Sequence, residues 1–128
     1  MNGIAISIVG NATRDVELKY TNSGQAVAKV GVAVSRRYQK AGEWTEETSF
    51  VDVVAWGQLA ENMAESVRKG TRLFATGRFD QRSFEHNGEK RTAWELTADE
   101  CGPSLRWATA VVTRAERTAQ PAATGGEL

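Results

Sequence analysis

In the run Phe50-Val51-Asp52-Val53-Val54-Ala55-Trp56, Val51, Val53 and Ala55 fall on one face of a strand, and Phe50, Asp52, Val54 and Trp56 on the other. Asp52 marks the second face as solvated. Two large rings on a wet surface are costly unless something covers them. The pattern returns at Arg78, Asp80, Arg82 and Phe84, which share one parity against Leu73, Ala75 and Phe79 on the other. A third case is Tyr38, flanked by Arg36, Arg37 and Lys40. Rings interleaved with cations on exposed β-surface suit a single nucleic-acid strand. Bases stack on the rings at roughly 1–3 kcal/mol each, while Lys and Arg follow the phosphates. A twisted or bulged strand would instead turn any one of these rings into the core. Trp94 shares a face with Leu96 that reads as core, and Trp107 reads as packing in the same body or against another subunit. Trp44, near a loop tip, reads as an auxiliary to binding.

Other reactive side chains form no constellation. His86 is the single histidine and adjoins the Asn87-Gly88 turn with no partner at ligand spacing. Cys101 has neither a CxxC partner nor a second histidine, so it reads as a small buried thiol. Asp52, Asp99 and Glu100 are not spaced as a magnesium site. Gly70 and Gly77 sit at ends and bends rather than in a phosphate-cradling loop. Arg68, Lys69 and Arg72 gather at a helix end, where they complement its dipole or lie along a nucleic-acid path. No catalytic residue, no metal and no cofactor are expected.

The elements that must position these residues are mostly strands. Ile4, Ile6 and Ile8 alternate with Ala5, Ser7 and Val9 before Gly10-Asn11 breaks the pattern. Val16 to Tyr20 is a second short strand, closed by Thr21-Asn22-Ser23-Gly24. Ala26 to Ser35 is a long strand in which Gly31 suggests a bulge or sharp bend. Residues 36 to 48 are a polar loop or a projecting hairpin, and Ser49 to Trp56 is a fourth strand. Helical period appears once, from Gln58 to Lys69, with Leu59, Met63 and Val67 on one face and Gly70 where a left-handed C′ residue belongs. Thr71 to Phe84 and Thr92 to Ala98 are strands joined through the Asn87-Gly88 hairpin signal. Cys101-Gly102-Pro103-Ser104 interrupts, and Leu105 to Thr113 is a last strand. The fold class is therefore all-β with one short helix. A five-stranded Greek-key barrel with its helix between the third and fourth principal strands, the OB-fold, fits this order, with an extra C-terminal strand. An open antiparallel sheet with one covering helix gives the same string. The domain is placed at 1–113, with a short flexible tail at 114–128.

The chain has 128 residues, with 16 Lys plus Arg against 16 Asp plus Glu. This neutral balance excludes a protein held to duplex DNA by bulk positive charge, and 41% hydrophobic content excludes wholesale disorder. One cysteine makes no intramolecular disulfide and fits a reducing compartment. No apolar run reaches the ~18 residues of a membrane helix. The start, Met1-Asn2-Gly3-Ile4, has no signal-peptide character. A soluble cytoplasmic protein, associated with the nucleoid and not with a membrane, is expected.

Further runs carry a resemblance. Ile8-Val9-Gly10-Asn11, Glu17-Leu18-Lys19-Tyr20 and Gly24-Gln25-Ala26-Val27-Ala28 resemble the N-terminal half of bacterial single-stranded DNA-binding proteins. The stretch from Phe50 to Asn62 is similar to that family's strand-into-helix segment, and Arg68-Lys69-Gly70 and Thr76-Gly77-Arg78-Phe79 continue the match. Leu105 to Ala110 resembles the form found in high-GC Gram-positive bacteria, in which an added C-terminal strand helps clamp a homotetramer, a dimer of dimers. The resemblance implies stacking on Tyr38, Phe50, Trp56 and Phe84, and phosphate contacts from Lys40, Lys69, Arg82 and Lys90 or Arg91, beside the Arg36 and Arg37 that flank Tyr38. The family usually has Trp at three of the four stacking sites, so the smaller rings here imply somewhat weaker stacking. Gly125-Gly126-Glu127-Leu128 lacks the family's acidic tip. This implies an accessory paralogue in which tip-mediated recruitment of replication enzymes is not expected. The implied function is sequence-tolerant binding and protection of single-stranded DNA in replication, recombination or repair, without enzymatic activity. An RNA-binding or replication-restart OB-fold, and more remotely a small metal-dependent nuclease, are the alternatives.

Overall fold

Alternating apolar residues produce six strands and one helix in a computed structural model, which describes residues 3–115. The strands are β1 (Ile4–Ala12), β2 (Glu17–Tyr20), β3 (Ala26–Lys40), β4 (Glu43–Trp56), β5 (Arg72–His86) and β6 (Glu89–Pro103), with α1 (Gly57–Ser66) between β4 and β5. The sheet runs β1-β5-β6-β4-β3-β2, and a further β1–β3 pairing at Asn11 and Ala12 closes five of the strands into a barrel. All pairings are antiparallel except β4 with β6. This is the OB arrangement, with the helix between the third and fourth barrel strands as expected.

The core follows strand parity. Ala28, Val30 and Val32 on β3, Val51, Val53 and Ala55 on β4, Leu73 and Ala75 on β5, and Leu96 and Ala98 on β6 point inward. Ala60 and Met63 on α1, with Val67, close one end of the barrel, and no polar or charged described residue is buried. β2 hangs on β3 as the sixth strand and is held to α1 where the Tyr20 hydroxyl donates to Glu61 Oε2 at 2.8 Å.

Several expectations are corrected. The predicted C-terminal strand at 105–113 does not form within the chain. β6 already ends at Pro103, and after Ser104, whose N–H donates to the Arg72 carbonyl at 2.8 Å, residues 105–113 join no strand and lie exposed. Residues 101–103 do not interrupt, because they still pair with Leu73, Phe74 and Ala75 of β5. Gly31 is not a bulge. It pairs regularly with Asp52, and its missing side chain makes room for Thr13, whose N–H and Oγ1 donate to the Gly31 carbonyl at 2.8 and 3.1 Å. The bulge lies instead at Thr76/Gly77, where a Cβ on Gly77 would stand 2.0 Å from the Thr97 carbonyl oxygen. The helix stops at Ser66 rather than Lys69 because the next amides are claimed elsewhere: Arg68 N–H by Thr71 Oγ1, Lys69 N–H by Asp15 Oδ1, and Gly70 N–H by the Ala12 carbonyl. The tail expected at 114–128 lies, from residue 116 onward, outside the described residues, and so does the segment read for an acidic tip.

Candidate nucleic-acid interface

Residues 36 to 48 form a hairpin: β3 and β4 continue past the barrel as a two-stranded arm, paired in unbroken register from Val27↔Trp56 to Lys40↔Glu43. Ala41 and Gly42 turn its tip with positive φ of 53° and 82°. A second arm is the β5–β6 hairpin, turned by Asn87 and Gly88 at φ 54° and 79°. These two arms and the barrel wall between them carry the candidate rings.

On β4, Phe50 and Trp56 stand on the outer face as parity requires, 66% and 44% exposed. Trp44 has the same parity and is 65% exposed. Trp44, Phe50 and Trp56 therefore form a line at intervals of about 20 Å along one strand face. The register Asp52↔Glu95↔Asp80 places the outer faces of β4, β6 and β5 on one continuous surface, so Phe84 and Arg82 belong to it too. Tyr38 does not. It shares parity with Val34 and Arg36, on the opposite face of the β3–β4 ribbon from Phe50. Strand parity thus puts three of the four rings on one surface, together with Trp44, which the sequence reads as an auxiliary to binding. Trp94 was also misread. It is 41% exposed at the barrel mouth, edge-on to Phe79 at 6.1 Å between ring centroids, and it lines a shallow pocket with Phe50.

The cations divide into engaged and available groups. Arg36 donates to Glu47 Oε1 at 2.6 Å and lies 4.8 Å from the Tyr38 ring centroid. This pairing raises the Arg36 pKa and holds the Glu47 carboxyl below its usual range, because the ion pair favours both charged forms. Arg91 lies 3.6 Å from Glu89. Arg37 stacks on Trp44 at 5.2 Å and Arg82 on Phe84 at 5.7 Å, and both leave guanidinium edges free of ion pairs among the described residues. Lys40, Lys69 and Lys90 are likewise outside the described ion pairs. Lys40 is at the tip of the first arm and Lys90 near the turn of the second, whereas Lys69 lies apart, in the loop after α1.

A broad open cleft of about 1430 Å³ lies between α1 and the 104–115 segment, away from the candidate rings. Glu61 and Glu65 line it together with Arg68, Arg72 and Arg114, and none of Tyr38, Phe50, Trp56 or Phe84 does. His86, Asp99 and Glu100 join no metal-holding cluster among the described residues. Cys101 is half-buried, and its thiol is pushed up to about 11 by desolvation, the opposite of an activated nucleophile.

Residues 4–104 match the model of the single-strand binding protein family. The chain belongs to that family. Among relatives of this single-strand binding family, the "Single-stranded DNA-binding protein" of Mycolicibacterium smegmatis is 50% identical over 117 residues, covering 88% of this chain and 71% of the relative. That of Paenarthrobacter aurescens is 46% identical over 125 residues, covering 94% and 73%. The crystal structure of a small single-stranded DNA-binding protein from Streptomyces coelicolor superposes with a TM-score of 0.75 at 31% identity, over 82% of this chain and 97% of that one. These relatives agree with the high-GC Gram-positive form of the family that the sequence resembles. The matched region, 4–104, holds every candidate ring and cation and stops before the exposed 105–113 segment.

Proposed function

We propose that this chain binds single-stranded DNA with little sequence preference, protecting it during replication, recombination or repair. The observation that carries the reading is the line of exposed rings on the outer face of the β4–β6–β5 wall. Phe50, Trp56 and Phe84 stack bases there, Tyr38 stacks them on the other face of the first arm, and a strand wrapping around that arm meets both. Arg37, Lys40, Arg82 and Lys90 meet phosphates, with Lys69 at a more distant point of the path. Arg36 and Arg91 act mainly by holding the arms, because their charges are already answered. The protein does this as a binding module, without catalysis, in the cytoplasm and on the nucleoid.

The working form is a homotetramer, a dimer of dimers. Along residues 4–10 the β1 edge opposite β5 has no strand partner among the described residues, because β3 meets β1 only at Asn11 and Ala12. Apolar side chains near it stay exposed, among them Ile4 and Val9, and Leu105, Trp107, Val111 and Val112 are more than 60% exposed on the C-terminal segment. Light scattering with and without poly-dT tests assembly and binding together. A tetramer that binds poly-dT and ignores a duplex of equal length supports the reading. A chain that binds both equally, or RNA in preference to DNA, overturns it.

A further inference from the structure

The first arm cancels its own charge, strand against strand. Its cations, Arg36, Arg37 and Lys40, lie on β3, and its carboxylates, Glu43, Glu46 and Glu47, lie on β4. The register sets each cation directly opposite one carboxylate: Arg36↔Glu47, Arg37↔Glu46 and Lys40↔Glu43. Opposite charges so placed attract across a strand pair. Among the described residues, however, only one of the three closes into an ion pair, Arg36 Nη2 to Glu47 Oε1 at 2.6 Å. Arg37 lies over Trp44 instead, on the opposite face of the arm. The Arg36 and Glu47 side chains are 70% and 57% exposed, so the pair stands where a strand wrapping the arm arrives. The same guanidinium lies over the Tyr38 ring, 4.8 Å from its centroid, and covers one face of it.

We infer that Glu47 is a built-in competitor for DNA phosphate, which occupies Arg36 in the free protein and so lowers the affinity of the first arm. A carboxylate and a phosphate present the same kind of paired oxygens to a guanidinium fork. A phosphate that takes Arg36 must displace Glu47 and leave that carboxylate unanswered beside the DNA, so the exchange yields little net gain. Arg37 and Lys40 are not held by their opposite carboxylates among the described residues, and a phosphate meets them without this cost. The inference rests on the single-strand reading and deepens it. Glu47 tunes the binding downward, so that a bound strand is released more readily, and removing its charge strengthens binding.

The test is an anisotropy titration of the full chain with a labelled strand of about 15 thymidines, within the span of one OB domain, across several salt concentrations. Glu47→Gln keeps the size of an exposed side chain outside the core, and thermal unfolding checks that the fold is kept. Glu46→Gln is the control, because it removes the same charge from the same arm without freeing an ion-paired cation. Glu47→Gln is expected to bind about two- to fivefold tighter than Glu46→Gln, the range of an exposed ion pair. Its log–log salt slope is expected to be steeper than that of wild type by about 0.7, one further phosphate contact on a single strand, while Glu46→Gln keeps the wild-type slope. Glu47→Thr, also suited to a strand, is expected to match Glu47→Gln, so the result does not hang on one replacement. Adding Arg36→Gln to Glu47→Gln is expected to return the slope to the wild-type value. Equal affinities and slopes of the Glu47 and Glu46 variants, or a steeper slope that survives the loss of Arg36, overturn the inference while leaving single-strand binding in place. Binding by none of the proteins, wild type included, overturns the single-strand reading as well.

Discussion

Phe50→Ala isolates stacking from folding more cleanly than any other substitution in this protein. The ring is 66% exposed, outside the buried core, and makes no aromatic or cation contact among the described residues. Its removal leaves no cavity, so stability is expected to change by no more than about 0.5 kcal/mol. Affinity responds differently. One lost base–aromatic stack costs about 1–3 kcal/mol, and the smaller area of Phe relative to Trp puts Phe50 near the lower half of that range, a loss of roughly five- to thirtyfold in Kd. Anisotropy titration of a labelled dT oligonucleotide reads the affinity, and thermal unfolding reads the stability. Tyr20→Ala is the control, because Tyr20 is also an exposed ring but is bound to Glu61 on α1, away from the β4–β6–β5 wall. Unchanged affinity in Phe50→Ala, or an equal loss in Tyr20→Ala, refutes the stacking argument.

Three further outcomes are expected. With two of the seven candidate cations already ion-paired, at most five per protomer release counterions, so the log–log salt slope should be no steeper than about −3.5 per protomer; a steeper slope in titrations across salt means that charge outweighs stacking. The first arm should loosen on acidification: the folded Glu47 pKa is depressed by Arg36, so its stabilising pairing is present above the ordinary carboxylate range and lost as pH falls through the lowered value, which the Tyr38 ring resonances should report by NMR. Cys101, with its thiol pushed up to about 11 by burial, should react with a thiol reagent at pH 8 far more slowly in the native protein than in denaturant, and equal rates would show it to be open.

Strand parity made the barrel legible. Val51, Val53 and Ala55 against Phe50, Asp52 and Trp56 gave the inner and outer faces of β4 directly, because side chains alternate with a period of two. Asn87-Gly88 announced its hairpin through a dipeptide suited to positive φ. The first arm was ambiguous for the converse reason: its turn is Ala41-Gly42, and Ala rarely adopts the φ of 53° found there. The helix end was misplaced because Thr71 and Asp15, which draw the amides of Arg68 and Lys69 out of helical bonding, act through contacts that spacing does not show. The side of the arm that Tyr38 occupies was not legible. Residues flanking a ring reveal its charge environment, but only the β3–β4 register reveals that position 38 faces away from position 50. The C-terminal segment looked like a strand because Leu105 to Thr113 has strand composition, yet composition does not show whether an edge is met, and among the described residues this segment pairs with none.

Photo-crosslinking of single-stranded DNA carrying 5-iododeoxyuridine, followed by mass-spectrometric mapping of the adducts, tests the central claim most directly. Stacked rings react in preference to residues that meet only phosphates, so adducts are expected on Phe50, Trp56, Phe84 and Tyr38, with Trp44 and Trp94 beside them. Adducts confined to Trp107 and Tyr20, in the cleft against α1, would contradict the account.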